Sequence, residues 1–370
     1  MPEKESAKNV LHDKIKELED RIKNTKYNKK TQHAIGLYKA QLAKLKEKRE
    51  SRAGIGKGKE GFAVRKTGDA TVVLVGYPSV GKSTLLNAIT NANSPVGSYD
   101  FTTLTVIPGL LEYNHAKIQV LDVPGVVRGA AVGTGRGKEV LTMLRSADLV
   151  LIVVDALKPE QHIALLKEVY DTGIRINQQP PDVKLTKTER GGIEIGRTVK
   201  LSKLQDQTIK SIANALGLVN AMIVIRENID ADQLIDAIES NKKYVPAITI
   251  VNKVDIVDKE ELNAIIRDVK PDLCISAERK INTEELKALI FKKLNLMRVY
   301  CKEIGKMADL DVPMIVKKDS TIRDMCNRLH RDFADKFKFA RVWGSSKFPG
   351  QKLSLNYALK DEDVVEIHLR

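Results

Sequence analysis

The chain is short of cysteine and has no long apolar run, and each shortage removes a class of protein. Cys274, Cys301 and Cys326 are scattered without a paired spacing, which excludes a disulfide framework and offers no zinc-ligand set. No apolar run reaches the roughly eighteen residues that a membrane span needs, and the opening MPEKESAKNV lacks the apolar core of a signal peptide. A soluble, reduced, cytoplasmic protein with no membrane partner is the expectation. What is present is a globular balance, with 42% hydrophobic and 30% charged residues over 370 positions. That length calls for roughly two to four modules rather than one core.

Charge is unevenly placed. The formal net charge is +14, and residues 1–52 carry 15 Lys and Arg against 8 Asp and Glu while residues 292–370 carry 17 against 11. Both ends are therefore basic and the middle is close to neutral. Such asymmetry points to a polyanionic partner held by the flanking segments, RNA foremost. The competing reading is an excess that only aids solubility.

Taken in order, the chain begins with a helical hairpin over residues 1–53. Leu11, Ile15, Leu18 and Ile22 form one apolar stripe, and Ile35, Tyr38, Leu42 and Leu45 another. Both stripes are narrow, which predicts packing on each other and on a further element. Lys14, Lys23, Lys39, Lys46 and Arg49 on the opposite faces could grip phosphates or simply be solvated. Residues 54–63, with GIGKGKEG at their start, read as a flexible basic linker. An α/β pattern then covers residues 64–172 and 241–296, interrupted by a β/α insert at 173–240. The insert shows a helix near Ser202 to Leu216, a strand at Ala221 to Ile225 and a helix at Ala231 to Ser240. After a helix at Thr283 to Leu296, residues 297–370 read as a small sheet with one helix across it. There Pro313 to Val316 is a strand, Ser320 caps a helix running to about Phe333, and Val364 to Leu369 is the last strand.

The chemistry concentrates at strand ends. Gly76-Tyr-Pro-Ser-Val-Gly-Lys-Ser83 follows the β-branched run Thr71 to Val75 and opens a helix-like stretch. A strand, a glycine-bearing loop and a helix N-terminus converge free N–H groups on one point, a cradle for phosphate. Gly76, Pro78, Ser79, Val80, Gly81, Lys82, Ser83 and Thr84 are the expected nucleotide contacts. Lys82 reaches the β- and γ-phosphates, and Ser83 ligates Mg²⁺. Asp122-Val-Pro-Gly125 ends the next strand, with Asp122 on Mg²⁺ through water and the Gly125 N–H on the γ-phosphate. Thr103 is the expected second hydroxyl on Mg²⁺, with Thr102 the fallback and Phe101 beside them.

Asn252-Lys253-x-Asp255 at another strand end selects the base. A carboxylate there accepts both N1–H and N2–H₂ of guanine, whereas adenine would leave it unpaired. Ser276-Ala277 supplies a backbone N–H to guanine O6. Lys82, Thr103 and Gly125 are the expected catalytic set for GTP hydrolysis, but Val126 stands where many small GTPases place a water-orienting glutamine. Slow intrinsic hydrolysis follows, or a structural nucleotide site in a binding scaffold with negligible turnover. Arg128 and Arg136 are close enough to aid catalysis, and loop solubility or RNA contact explains them equally well.

With GYPSVGKS, FTTLT, DVPG, NKVD and SAE in this order, the chain resembles GTPases of the Obg type. More narrowly, it resembles the developmentally regulated GTP-binding (DRG) protein family of archaea and eukaryotes, a match that also takes in YDFTTLTVIPG, GRGKEVL, VWG and DEDVVEI. The resemblance implies a P-loop GTPase domain, an insert like the second domain of a small-subunit ribosomal protein, and a ubiquitin-like β-grasp TGS domain from about residue 297. It implies association with ribosomes or translation, and a protein regulatory partner. Some related GTPases bind K⁺ through an asparagine of the phosphate loop. Here Ser79 holds that position, which puts a K⁺ role in question.

Overall fold

A computed structural model describes residues 2–26, 28, 30–52, 68–90, 107–123 and 142–370. The chain divides into two compact units. Among the described residues, one unit holds 68–90, 107–123, 142–168 and 245–370, and its first strand is β1 (Ala70–Val75), whose six residues are all buried. Such a run, apolar on both faces, suits only the interior of a parallel sheet. The helix Lys82–Ile89 follows, then the edge hairpin of β2 (Ile107–Tyr113) and β3 (Ala116–Asp122), and β4 (Leu149–Asp155).

Among the described residues, the other unit holds the N-terminal segment up to residue 52 and residues 169–244. In it β5 (Ile174–Ile176) pairs with β9 (Lys243–Val245), and β6 (Val183–Lys187), β7 (Ile193–Arg197) and β8 (Ala221–Ile225) form a sheet in the order β6-β8-β7. The helix Asp206–Ala215 makes the crossover between the parallel strands β7 and β8, and Ala231–Glu239 is closed by a capping box of Asp230 and Gln233. The N-terminal helices Pro2–Asn24 and Gln32–Arg52 belong to the same unit, and the residues that pack with Ile209, Ile212 and Ala213 of Asp206–Ala215 are Ala40 and Ala43, which lie off the expected stripe of Ile35, Tyr38, Leu42 and Leu45. Gly36 permits that approach, since a Cβ there would lie 3.0 Å from Thr208 Cγ2 and 3.2 Å from Ile212 Cδ1. Of the basic residues on these helices, Lys39 pairs with Asp232 and Lys46 with Glu19 and Asp171, while Lys14 and Lys23 are exposed. Two of the five are thus engaged within the protein.

A buried ion pair lies in the same unit. Arg175 Nε and Nη2 donate to Asp236 Oδ2 and Oδ1 at 2.6 and 2.8 Å, and Nη1 donates to the Tyr170 carbonyl at 2.9 Å. Burial alone would lower the guanidinium pKa, but its bonds to Asp236 outweigh burial and hold it above the ordinary value.

Back in the first unit, β10 (Ala247–Asn252) and β11 (Leu273–Cys274) complete a six-stranded sheet in the order β11-β10-β4-β1-β3-β2, parallel except for β2. Register sets Asp122 opposite Leu74 and Asn252 opposite Asp155, so the polar residues line up at one sheet edge, the carboxyl ends of the strands. The C-terminal sheet has the order β13-β12-β16-β14-β15, from β12 (Leu296–Lys302), β13 (Met314–Lys317), β14 (Phe337–Trp343), β15 (Gln351–Leu353) and β16 (Asp363–Leu369). Two sequence expectations need correction here. The helix expected to run to Leu296 ends at Lys293, because Asn295 turns left-handed at φ 51° and Leu296 begins β12. The cap of the crossing helix is Thr321 rather than Ser320, in a box with Asp324, and that helix spans only Ile322–Leu329. Leu294, Leu296 and Ile315 pack into the core of the parallel sheet, and Lys317–Asp148 and Arg328–Asp69 ion pairs at 3.3 and 2.5 Å join the two parts of this unit.

Candidate functional site

The phosphate-binding loop is shaped by two glycines. Gly81 has φ +90°, and a Cβ on it would lie 2.4 Å from Asn252 Nδ2. A Cβ on Gly76 would meet the Val153 carbonyl oxygen at 2.6 Å. Gly81 is also the N-cap of Lys82–Ile89 and has no side chain with which to cap it. The first-turn N–H groups of that helix are therefore left for an anion. Lys82 is buried, and its ammonium donates to the carbonyls of Gly76 at 3.0 Å and Tyr77 at 2.9 Å. Burial lowers its pKa below the ordinary 10.5, and Asp122 partly restores it. Pro78, Ser79, Ser83 and Thr84 are exposed, with Ser79 itself left-handed at φ 65°.

Ser83 and Asp122 come from different strand ends and meet directly, with Ser83 Oγ donating to Asp122 Oδ2 at 2.7 Å. The other oxygen, Oδ1, is buried and has no hydrogen-bond partner among the described residues. A hydroxyl, a carboxylate and phosphate oxygens are the hard donors Mg²⁺ prefers, so this pair fits the ion. Among the described residues no cluster of three His, Cys, Asp or Glu could hold a metal.

The Asn252–Asp255 turn reaches the same place. Asn252 Nδ2 donates to the Val80 carbonyl at 2.9 Å, while Asn252 Oδ1 accepts from the Ala277 N–H at 3.0 Å. One buried side chain thus braces the phosphate loop and the Ser276-Ala277 turn together. Lys253, left-handed at φ 66°, donates to the Ser79 carbonyl at 2.8 Å and to Asp155 Oδ2 at 2.6 Å. Asp255 is held below the ordinary carboxylate range chiefly by the Ser276 hydroxyl, with Arg279 adding less from 3.1 Å. Asp155 is the residue sequence reasoning missed. Its signal was available, a carboxylate closing the run Leu149 to Val154 in the manner of Asp122 and Asn252.

The structure therefore brings together Gly76, Ser79, Val80, Gly81, Lys82, Ser83, Asp122, Asn252, Lys253, Asp255, Ser276 and Ala277. Phe101, Thr102, Thr103, Gly125, Val126, Arg128 and Arg136 lie outside the described residues.

The chain is similar over nearly its whole length to known proteins. Residues 71–187 match a family described as 50S ribosome-binding GTPase, residues 190–296 the C-terminal region of that domain, and residues 297–369 a TGS domain. A GTP-binding protein of Methanocaldococcus jannaschii is 47% identical over 97% of this chain and 93% of its own. Developmentally-regulated G-protein 3 of Arabidopsis thaliana is 44% identical, covering 97% and 98%. Developmentally-regulated GTP-binding protein 1 of Xenopus laevis is 42% identical, covering 96% and 98%. Among solved structures, the YchF GTPase of Schizosaccharomyces pombe is 15% identical with a TM-score of 0.45, covering 84% of this chain and all of that one. Identity at this level over nearly the whole length makes the chain a member of the developmentally regulated GTP-binding protein family, a GTP-binding GTPase with a C-terminal TGS domain.

Proposed function

We propose that this protein is a magnesium-dependent, slowly hydrolysing GTP switch that docks on ribosomes or other structured RNA through its basic ends. The observation that carries the nucleotide part is the Asn252 brace, which holds phosphate loop and base turn at one strand edge. Lys82 leaves its two carbonyls for the β- and γ-phosphates. The helix N-terminus after Gly81 receives the phosphate charge, and Ser83 and Asp122 hold Mg²⁺, which neutralises the phosphate oxygens when bound. Asp255 accepts the guanine N–H pair in place of Arg279, and the Ala277 loop faces O6. Thr103 and Gly125 complete the γ-phosphate contacts. With valine at position 126 no side chain there can orient the attacking water, so a bound cation, another residue or a partner must do so. Support for the ribosome comes from the family description, 50S ribosome-binding GTPase, and from the charge at both ends.

Asp255→Asn tests the base assignment. The variant is expected to lose GTP affinity and prefer xanthosine triphosphate, by on the order of a hundredfold or more, since one donor–acceptor pair at the base edge is inverted. Competition binding of the two nucleotides measures it, and an unchanged GTP preference would remove Asp255 from the role. For the docking, the protein is expected to sediment with ribosomes when GTP is bound and to be released as salt rises. Sedimentation indifferent to both nucleotide and salt rejects the switch. Val126 also favours a scaffold with a structural nucleotide site. Single-turnover hydrolysis with and without ribosomes separates the two readings, because a scaffold shows no turnover in either.

A further inference from the structure

Among the described residues, the C-terminal sheet has one face covered by its helix and one without such cover. Met297, Val299, Ala340, Val342 and Val365 point into the core with Ile322 and Met325 of the helix. Strand alternation sends their neighbours to the opposite face. Register there lines up Lys302, Glu366, Arg341 and Lys352 in one row across four strands. Tyr300 and Trp343 lie in the adjacent row on one side, and Phe339 and His368 on the other. A basic row is thus flanked by two aromatic rows, each about 7 Å away along the strands.

From this arrangement we infer that the open face of the C-terminal sheet binds single-stranded RNA, with bases stacked on Trp343 and Phe339 and phosphates met by Arg341 and Lys352. The inference rests on the RNA-docking reading above and names the surface and the form of RNA. Arg341 and Lys352 are exposed. Glu366 is the only acid in the basic row; it is buried and pairs with Lys302, which leaves the charges of Arg341 and Lys352 as the net positive charge of the row. Both rings have side chains resting on them. Lys302 Nζ lies 4.9 Å from the Trp343 centroid, Lys352 Nζ 4.7 Å from that of Phe339, and the His368 ring stacks on Phe339 at 4.3 Å. At an exposed site a lysine over a ring is worth less than a nucleobase stacked on it. A base therefore takes the lysine's place, and the freed ammonium stays beside the phosphate that follows. Phosphate charge and base π-faces together are what single strands offer, while a duplex keeps its bases stacked inside.

Trp343 is the only tryptophan of the chain, so its fluorescence reports this face alone. The test titrates the full chain with an oligouridylate of about 12 nucleotides and with an RNA duplex of equal length. Tryptophan emission and the anisotropy of a label on the RNA are read together. The single strand is expected to quench Trp343 and to bind more tightly than the duplex. Arg341→Gln with Lys352→Gln is expected to weaken binding about tenfold and to make the salt dependence shallower by roughly 1.4, at about 0.7 per phosphate contact. Phe339→Leu, which keeps apolar bulk for the fold, is expected to weaken binding about tenfold through lost stacking. Unchanged Trp343 emission at saturation, equal affinity for duplex, or variants that bind like the parent would overturn the inference. Ribosome sedimentation of the same proteins keeps the two readings apart. Salt-sensitive pelleting with an unresponsive Trp343 sinks this inference and leaves ribosome docking standing; quenching without pelleting does the reverse.

Discussion

Asp236→Ala is expected to destabilise the unit that carries it by about 3–5 kcal/mol, the cost of leaving a buried charge without its partner. Both side chains of the Arg175–Asp236 pair are nearly inaccessible, at 4% and 6% exposure, so water cannot replace the carboxylate. Arg175 would keep its bond to the Tyr170 carbonyl but lose both bonds of its fork. Losses of that size are a large share of an ordinary domain's stability. Hydrogen exchange at Ile174–Ile176 and Ala231–Glu239 is the measurement, because it reads this unit without reference to the other. The double variant Arg175→Met/Asp236→Leu is expected to recover most of the loss, since apolar replacement of a whole buried pair is often neutral or better. A cost below about 1 kcal/mol for Asp236→Ala would put this pair in the class of surface ion pairs.

Lys82→Met is expected to weaken GTP binding by about 2–5 kcal/mol, or roughly thirtyfold to several thousandfold, by removing a desolvated cation from the phosphates. Its effect on the nucleotide-free protein has a different sign. Burial disfavours the charged ammonium in the fold, so the folded pKa lies below the unfolded one. In the window between those two values the unfolded chain binds more protons, and stability rises with pH. The window closes near the ordinary lysine value of 10.5. Urea titrations across the alkaline range should show that rise in the parent and lose it in Lys82→Met. Nucleotide titration calorimetry reads the affinity. A variant that keeps GTP affinity, or a parent whose stability falls over the window, would contradict the buried-cation account.

Much of the parallel sheet was readable because its strands are extreme. Val72 to Val75 and Leu149 to Val154 are apolar on both faces, and the polar residue ending β3, β4 and β10 breaks each run abruptly. The P-loop GTPase domain was legible for the same reason, and from motif order, whereas the TGS domain was implied only by the family resemblance, the patterning itself giving a small sheet with one helix across it. The short strands of the insert were not. VKLTK and IEIGR lie in a sheet with half-exposed strands, and five residues of mixed polarity carry too little period to separate strand from loop. Strand β12 was hidden differently. Leu289, Ile290, Leu294 and Leu296 continue an apolar helical pattern, and only the left-handed turn at Asn295, a backbone choice not visible as a proline or glycine, ends it. At the site, sequence order identified the loops but not their fastening. Nothing in the spacing of N-K-x-D says that Asn252 would bond Val80 and Ala277 at once, or that Lys253 would turn back to Asp155.

Leu294, Leu296 and Ile315 lie in the core of the parallel sheet although two of them belong to the strands of the C-terminal sheet. A protease cut or an expression boundary at residue 296 would therefore pass through a shared apolar seam. The fragments on either side would each expose a greasy scar, and would tend to stick to one another or to themselves. In this protein the seam, and not the end of a motif, marks where the chain cannot be cleanly divided.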